Sequence, residues 1–128
     1  MAMIAALATP DFHRFKPDLE LRNAVGRLAA AMRDARGHAI RTNHEAVVTI
    51  DVAARSYAAS YQPAWQKLDG DFVLSLYTAT VETYGNQVGN IRFFPEGTST
   101  GGRVTLNSGR RHYVVVVDWL TGHVEVIE

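Results

Sequence analysis

The sequence predicts an α+β fold, with one long N-terminal amphipathic helix packed on an antiparallel β-domain. Three observations carry this. Between Asp18 and Thr42, the residues Leu21, Val25, Leu28, Met32, Ala35 and Ala39 recur at steps of four and three, the period of one helical face. From Glu45 onward, short stretches alternate apolar and polar residues with the period of a half-buried strand. Tight turns marked by glycine, proline and asparagine join those stretches, which points to antiparallel pairing.

The first segment, Met1 to Ala8 (MAMIAALA), is apolar but too short to cross a bilayer. It reads either as a tag or disordered start, or as the end of a longer apolar helix. Pro10 and Pro17 each lack a backbone donor and restrict the preceding residue, so they are expected to interrupt helical propagation. Asp18 then suits an N-cap, and Glu20 sits where the helix dipole favours a negative charge. The helix spine over 18–42 spans roughly 37 Å. Arg22, Arg27, Arg33, Asp34, Arg36 and Arg41 fall mostly off the apolar stripe and are expected to stay in water. Gly26 and Gly37 each cost about 1 kcal/mol in a helix interior and leave room for another backbone to approach. Asn43 is the expected stop.

About seven strands are expected over 45–128. Glu45 to Val52 alternates, and Ser56 to Gln62 returns as far as Pro63. Asp69-Gly70 turns the chain into a strand from Phe72 toward Val81. Thr83 to Asn90 reads as a loop, Ile91 to Phe94 as a short strand stopped by Pro95, and Glu96 to Gly102 as a flexible connection. Val104 and Leu106 mark a strand, Asn107-Ser108-Gly109 a hairpin turn, and His112 to Trp119 a strand. Within it, Val114 to Val117 is continuously apolar, as expected when both faces are covered. Thr121-Gly122 turns into a last strand over His123 to Ile127. No repeat or domain boundary interrupts the chain, so residues 1–128 are expected to form a single domain.

Composition narrows the function classes. The chain has 128 residues, 47% hydrophobic and 20% charged, enough for one cored domain. Thirteen basic residues balance thirteen acidic ones, so net charge gives no pull toward nucleic acid or anionic lipid. There is no cysteine, which excludes disulfides and thiolate chemistry. Of the five histidines, His38 and His44 are six apart and do not share a helical face, and no metal-ligand spacing occurs. Ser108, His112 and Asp118 could be assembled on paper into a nucleophilic triad, but no nucleophile-elbow pattern supports it. Gly101-Gly102 precedes a strand rather than a helix N-terminus, so it lacks what a phosphate cradle needs. Arg22, Arg27, Arg33, Arg36, Arg41, Arg110 and Arg111 read as a solvated face rather than phosphate contacts. Tyr57, Tyr61, Phe72, Phe93, Tyr113 and Trp119 lie at strand positions and read as core. No catalytic, cofactor or metal site is therefore expected.

Two blocks carry a family resemblance. Residues Ile91 to Gly102, IRFFPEGTSTGG, resemble the FxPxGxSxGG stretch of GspH/FimT-type minor pseudopilins, with Phe93, Pro95, Gly97, Gly101 and Gly102 as the matching positions. Residues Val117 to Val124, VDWLTGHV, resemble the closing strand-turn-strand of the same family through Asp118, Trp119 and Gly122, although arginine is commoner there at the position of His123. The Ala/Arg-rich stretch from Leu21 to Thr42 is similar to the family's helix running into its first strand.

The resemblance implies a pilin-like fold, in this family often with two packed sheets. It implies that Met3, Ile4 and Leu7 end a truncated transmembrane helix that packs in a filament, and that Leu21, Val25, Leu28 and Met32 form the helix-to-sheet core. The family's leader peptide, processed N-terminal phenylalanine and following glutamate match no residue here. The implied role is a minor pseudopilin of the bacterial type II secretion system, near the pseudopilus tip, serving export across the outer membrane. Its implied partners are other minor and major pseudopilins, the membrane through the missing helix, and secreted substrate. The implied location is the inner membrane, single-pass, with this domain in the periplasm. The competing reading is a type IV pilus minor pilin of the FimT kind, some of which bind DNA during uptake. The acidic C-terminal sequence Val124-Glu125-Val126-Ile127-Glu128 argues against it, and no nucleic-acid partner is expected. A hydrolase on a β-sandwich has no motif behind it.

Overall fold

The computed structural model describes residues 2–79, 82–84 and 87–128, with side chains described from Asp18 onward except at 84. One helix, α1 (Ala2–Thr42), runs 41 residues, or roughly 60 Å. It passes through Pro10 and Pro17, so the expected start at Asp18 is corrected. Proline's fixed φ is itself helical; the ring removes one hydrogen bond and crowds the preceding turn, which bends a helix more readily than it ends one. Asp18 is an interior position, and its carboxylate lies 3.7 Å from Arg111 on the β-domain. The helix stops at Asn43, which takes the left-handed conformation (φ 57°).

The strands are β1 (Ala46–Asp51), β2 (Ser56–Ala59), β3 (Gln66–Lys67), β4 (Val73–Thr78), β5 (Thr83–Tyr84), β6 (Val88–Phe93), β7 (Gly102–Asn107), β8 (His112–Val117) and β9 (Val124–Ile127). They form two antiparallel sheets, ordered β3-β2-β1-β6-β5 and β4-β7-β8-β9. The helix lies across β1, β2 and β6 of one sheet and β8 and β9 of the other. Between them sits one core. Leu21, Ala24, Val25, Leu28, Ala29, Met32, Ala35 and Ala39 of the helix are buried against Val48 and Ile50 of β1, Ile91 and Phe93 of β6, Val104 and Leu106 of β7, and Val115 and Val117 of β8. A stripe of that width suits a helix seated in a cleft between two sheets.

Four other expectations change. The two strands beyond the expected seven are the two-residue β3 and β5. Within Thr83 to Asn90, expected as a loop, β5 pairs with β6 as Thr83↔Gly89 and Tyr84↔Val88, while residues 85 and 86 lie outside the described residues. Gly89 belongs to a strand because a Cβ there would lie 2.8 Å from both Leu76 Cδ2 and Thr78 Oγ1, so the glycine serves close packing rather than a turn. Among the described residues, Gly26 and Gly37 meet no backbone from another element; a Cβ on Gly26 would touch nothing within 4 Å, and one on Gly37 only the Arg41 side chain. The apolar run of β8 is fully covered on one face only: Val115 and Val117 are buried, while Val114 and Val116 are half-buried.

The outer face of the five-stranded sheet satisfies its own polar groups. Arg92 grips the buried Glu82 at 2.9 Å and reaches Glu45 at 3.4 Å. That carboxylate hydrogen bond raises the Arg92 pKa further. Beside it, the Thr49 hydroxyl donates to Asn90 Oδ1 at 2.7 Å.

Candidate interaction site

The two sequence blocks meet at one end of the helix, and the helix itself joins them. Arg36 Nε donates to the Gly97 carbonyl at 2.9 Å and to the Thr121 carbonyl at 3.2 Å. One turn earlier, Arg33 donates to the Val124 carbonyl at 3.1 Å. Arg27 donates to the Lys67 carbonyl at 3.1 Å and to Gln66 Oε1 at 3.2 Å. Arg27 and Arg33 stay exposed as expected while also reaching carbonyls, whereas Arg36 is half-buried, which corrects the expectation for it. Each flanks the buried stripe, so its apolar stem can lie along the core edge while the guanidinium reaches loop carbonyls.

The segment Glu96 to Gly102, expected to be flexible, is tied down along its length. Pro95 and Glu96 form the middle of a turn closed by Gly97 N–H donating to Phe94 O at 2.9 Å. Ser99 is 4% exposed. Its hydroxyl donates to Arg92 O at 2.8 Å and accepts from Gly101 N–H at 3.0 Å. Its own N–H donates to Trp119 O at 2.9 Å, which stitches the first block to the second. The second block closes on Asp118: its carbonyl accepts from Gly122 N–H at 2.7 Å and its Oδ1 from Leu120 N–H at 2.8 Å. The contact between the blocks is so close that a Cβ on Gly122 would lie 1.9 Å from Gly97 O. Both glycines have positive φ, 70° and 99°.

The residues singled out from the sequence therefore divide by location. Phe93 is fully buried, Gly97, Gly101 and Gly122 are buried in the interlock, and Pro95 and Gly102 are half-buried. Asp118 is exposed while closing its turn. Trp119, expected in the core, is 65% exposed beside the 60% exposed Leu120. It lies two residues beyond the strand, in the turn, where the alternation that would have buried it has ended. Leu21, Val25, Leu28 and Met32 are all at most 4% exposed and face both sheets. Met3, Ile4 and Leu7 lie in the first turns of α1, and their side chains fall outside the described residues.

No catalytic constellation assembles from the candidate groups. His112 opens β8 and Asp118 follows its last residue, about 20 Å away at strand rise. Ser108 is engaged by its own turn, accepting from Arg111 N–H at 3.1 Å. A second cluster joins the helix to the Tyr61 turn: the Tyr61 ring stacks on His38 at 3.8 Å, and its hydroxyl donates to Asp34. Burial and that carboxylate push the Tyr61 hydroxyl above its usual pKa, so it stays a donor. Among the described residues, no group of acidic and histidine side chains could hold a metal ion. The arrangement is a fastened scaffold that presents surface.

Comparison with known proteins agrees with that character. The family model for the type II transport protein GspH matches residues 24–121. The curated type II secretion system protein H of Xanthomonas campestris pv. campestris is 33% identical over 108 residues, 83% of this chain and 62% of that protein. The chain thus spans less than two thirds of that relative's length. The minor pseudopilin EpsH from the type 2 secretion system of Vibrio cholerae superposes with a TM-score of 0.62 at 15% identity, over 84% of this chain and 96% of that one. The type IV minor pilin FimU of Pseudomonas aeruginosa superposes with a TM-score of 0.60 at 12% identity, over 89% of this chain and 92% of that one. At such identities these two structures show the shared fold: one N-terminal helix packed on two antiparallel sheets.

Proposed function

The chain belongs to the GspH family of type II transport proteins, whose members are minor pseudopilins, and from that premise we propose that it is a structural subunit of the secretion pseudopilus rather than a catalyst. It would sit near the filament tip, bind other minor and major pseudopilins, and serve protein export across the outer membrane. The observation that carries this reading is the unbroken helix from Ala2 to Thr42. A single helix joins the apolar segment containing Met3, Ile4 and Leu7 to the stripe that holds both sheets. Among the described residues, no helix is long and apolar enough to cross a membrane. An inner-membrane anchor with the β-domain in the periplasm therefore rests on the family, as do the filament-packing roles of Met3, Ile4 and Leu7. There the apolar face would contribute association energy in proportion to the area it buries.

The test is co-purification from the native organism with the other minor pseudopilins. Retention of those proteins is expected. Retention instead by type IV pilus minor pilins would transfer the chain to that system, which the comparable likeness to FimU makes a meaningful alternative.

Side-chain pairing bears on the DNA-binding alternative. Arg27, Arg33 and Arg36 are committed to carbonyls, and Arg111 pairs with Glu128 at 2.9 Å and with Asp18 at 3.7 Å. Each phosphate contact forgone removes about one unit of salt slope, and the thirteen basic residues are balanced by thirteen acidic ones. In a gel-shift assay at physiological salt, no submicromolar, salt-sensitive binding to duplex DNA is expected; such binding would favour the pilus reading.

A further inference from the structure

The outer faces of the two sheets differ in kind. On the five-stranded sheet, Arg92, Glu82, Thr49 and Asn90 satisfy one another. On the four-stranded sheet, the register sets two rows of side chains facing away from the helix. One row is Tyr77, Arg103, Val116 and Glu125; the next is Ser75, Thr105, Val114 and Ile127. Two half-buried valines stand at the centre, and Tyr77 and Ile127 are 65% and 48% exposed. The continuous apolar run of β8 thus has a covered face and an uncovered one, a pattern that suits a strand with layers on both sides. Arg103 and Glu125 flank Val116 on opposite sides. Arg103 rests over the Tyr77 ring at 4.8 Å, and neither charge makes an ion pair among the described residues.

We propose that this face is a self-association surface, on which a second copy of the chain packs face to face about a two-fold axis running parallel to β8. Such an axis sets Val114 and Val116 against their own counterparts. It carries β7 over β9 of the second copy, so each Arg103 faces the other copy's Glu125, giving two reciprocal ion pairs around an apolar centre. The pattern is self-complementary, as a two-fold interface requires. Aligned packing of two β faces at ~10 Å separation is the standard geometry for such layers.

Area sets the strength. With β8 on the axis, β7, β8 and β9 overlap while β4 overhangs; six residues at ~3.3 Å by three strands at ~4.8 Å cover roughly 300 Å² per copy. The total of roughly 600 Å² lies well below the ~1,200 Å² of lasting complexes, so the dimer is weak and exchanges readily. Its usefulness, though not its geometry, rests on the filament-subunit reading: a subunit awaiting assembly keeps its apolar sheet face covered and releases it on transfer to the filament.

The test is sedimentation equilibrium of the purified full chain from about 10 μM to about 1 mM, the range in which so small an interface is populated. The weight-average mass should climb from 14.1 kDa toward twice that value. Arg103→Glu and Glu125→Arg should each weaken association by ~10-fold or more, and the double variant should regain most of it. Both positions are exposed, so thermal unfolding should be nearly unchanged in all three variants. A mass that stays at the monomer value overturns the proposal. So does association indifferent to both reversals, which would place the contact elsewhere, such as the apolar N-terminal segment. Because only this chain is present, the outcome is independent of which pilins are retained in the co-purification.

Discussion

Leu28→Asp is expected to abolish cooperative unfolding, leaving a chain without its folded β-domain at 25 °C. Leu28 is completely buried where the helix stripe crosses both sheets. Removing a buried leucine costs roughly 2–5 kcal/mol in lost transfer energy and cavity. Placing a carboxylate there without a partner adds several kcal/mol, or protonates it and still buries an unsatisfied polar group. A domain of this size has roughly 5–15 kcal/mol in total. Far-UV circular dichroism on heating is the measurement. Asn23→Asp, on the exposed side of the same helix, should unfold within about 0.5 kcal/mol of the parent chain. A sharp transition retained in Leu28→Asp would mean that the helix seats on the sheets in another register.

Gly122→Ala is expected to lower the melting temperature by ~10 °C or more, whereas Gly109→Ala should lower it by only a few degrees. Both glycines have positive φ, 70° and 90°, so both substitutions carry the left-handed penalty of roughly 1 kcal/mol. They differ in space. A Cβ at Gly109 would meet nothing within 4 Å, while one at Gly122 would lie 1.9 Å from Gly97 O and 2.8 Å from Arg36 Nε. Relieving that clash means separating the two loops that Arg36 joins, and with them the hydrogen bonds to the Gly97 and Thr121 carbonyls. The Thr121 carbonyl can turn to water, but Gly97 is buried, and a buried carbonyl left unpaired costs roughly 1–3 kcal/mol. Equal melting temperatures for the two variants would show that the interlock contributes nothing to stability.

The legible parts of the fold were those written in local periodicity. Each residue of the stripe from Leu21 to Ala39 is buried, because helical spacing puts them on one face whatever that face meets. Alternation likewise located most strands, to within a few residues at their ends. It failed where a strand was too short to alternate, as at Gln66–Lys67, and where a strand glycine looked like a turn, as at Gly89. It also failed at Trp119, two residues past the end of β8. Pro10 and Pro17 were legible as poor helix residues but not as tolerated ones, since tolerance depends on the helix already formed around them.

By itself, then, the sequence determined that a one-faced helix would be paired with antiparallel strands, and through its two blocks it named the family. Only the tertiary structure decided what those blocks do physically. Arg36 binds residues 61 and 85 positions away along the chain, and Gly122 is a glycine because Gly97 O occupies the place of its side chain. Periodicity reports which way a residue points, a property of its neighbours in sequence. Whether a solvent-side arginine finds water or a carbonyl, and whether the outer valines of β8 find a cover, depends on what folding brings from elsewhere.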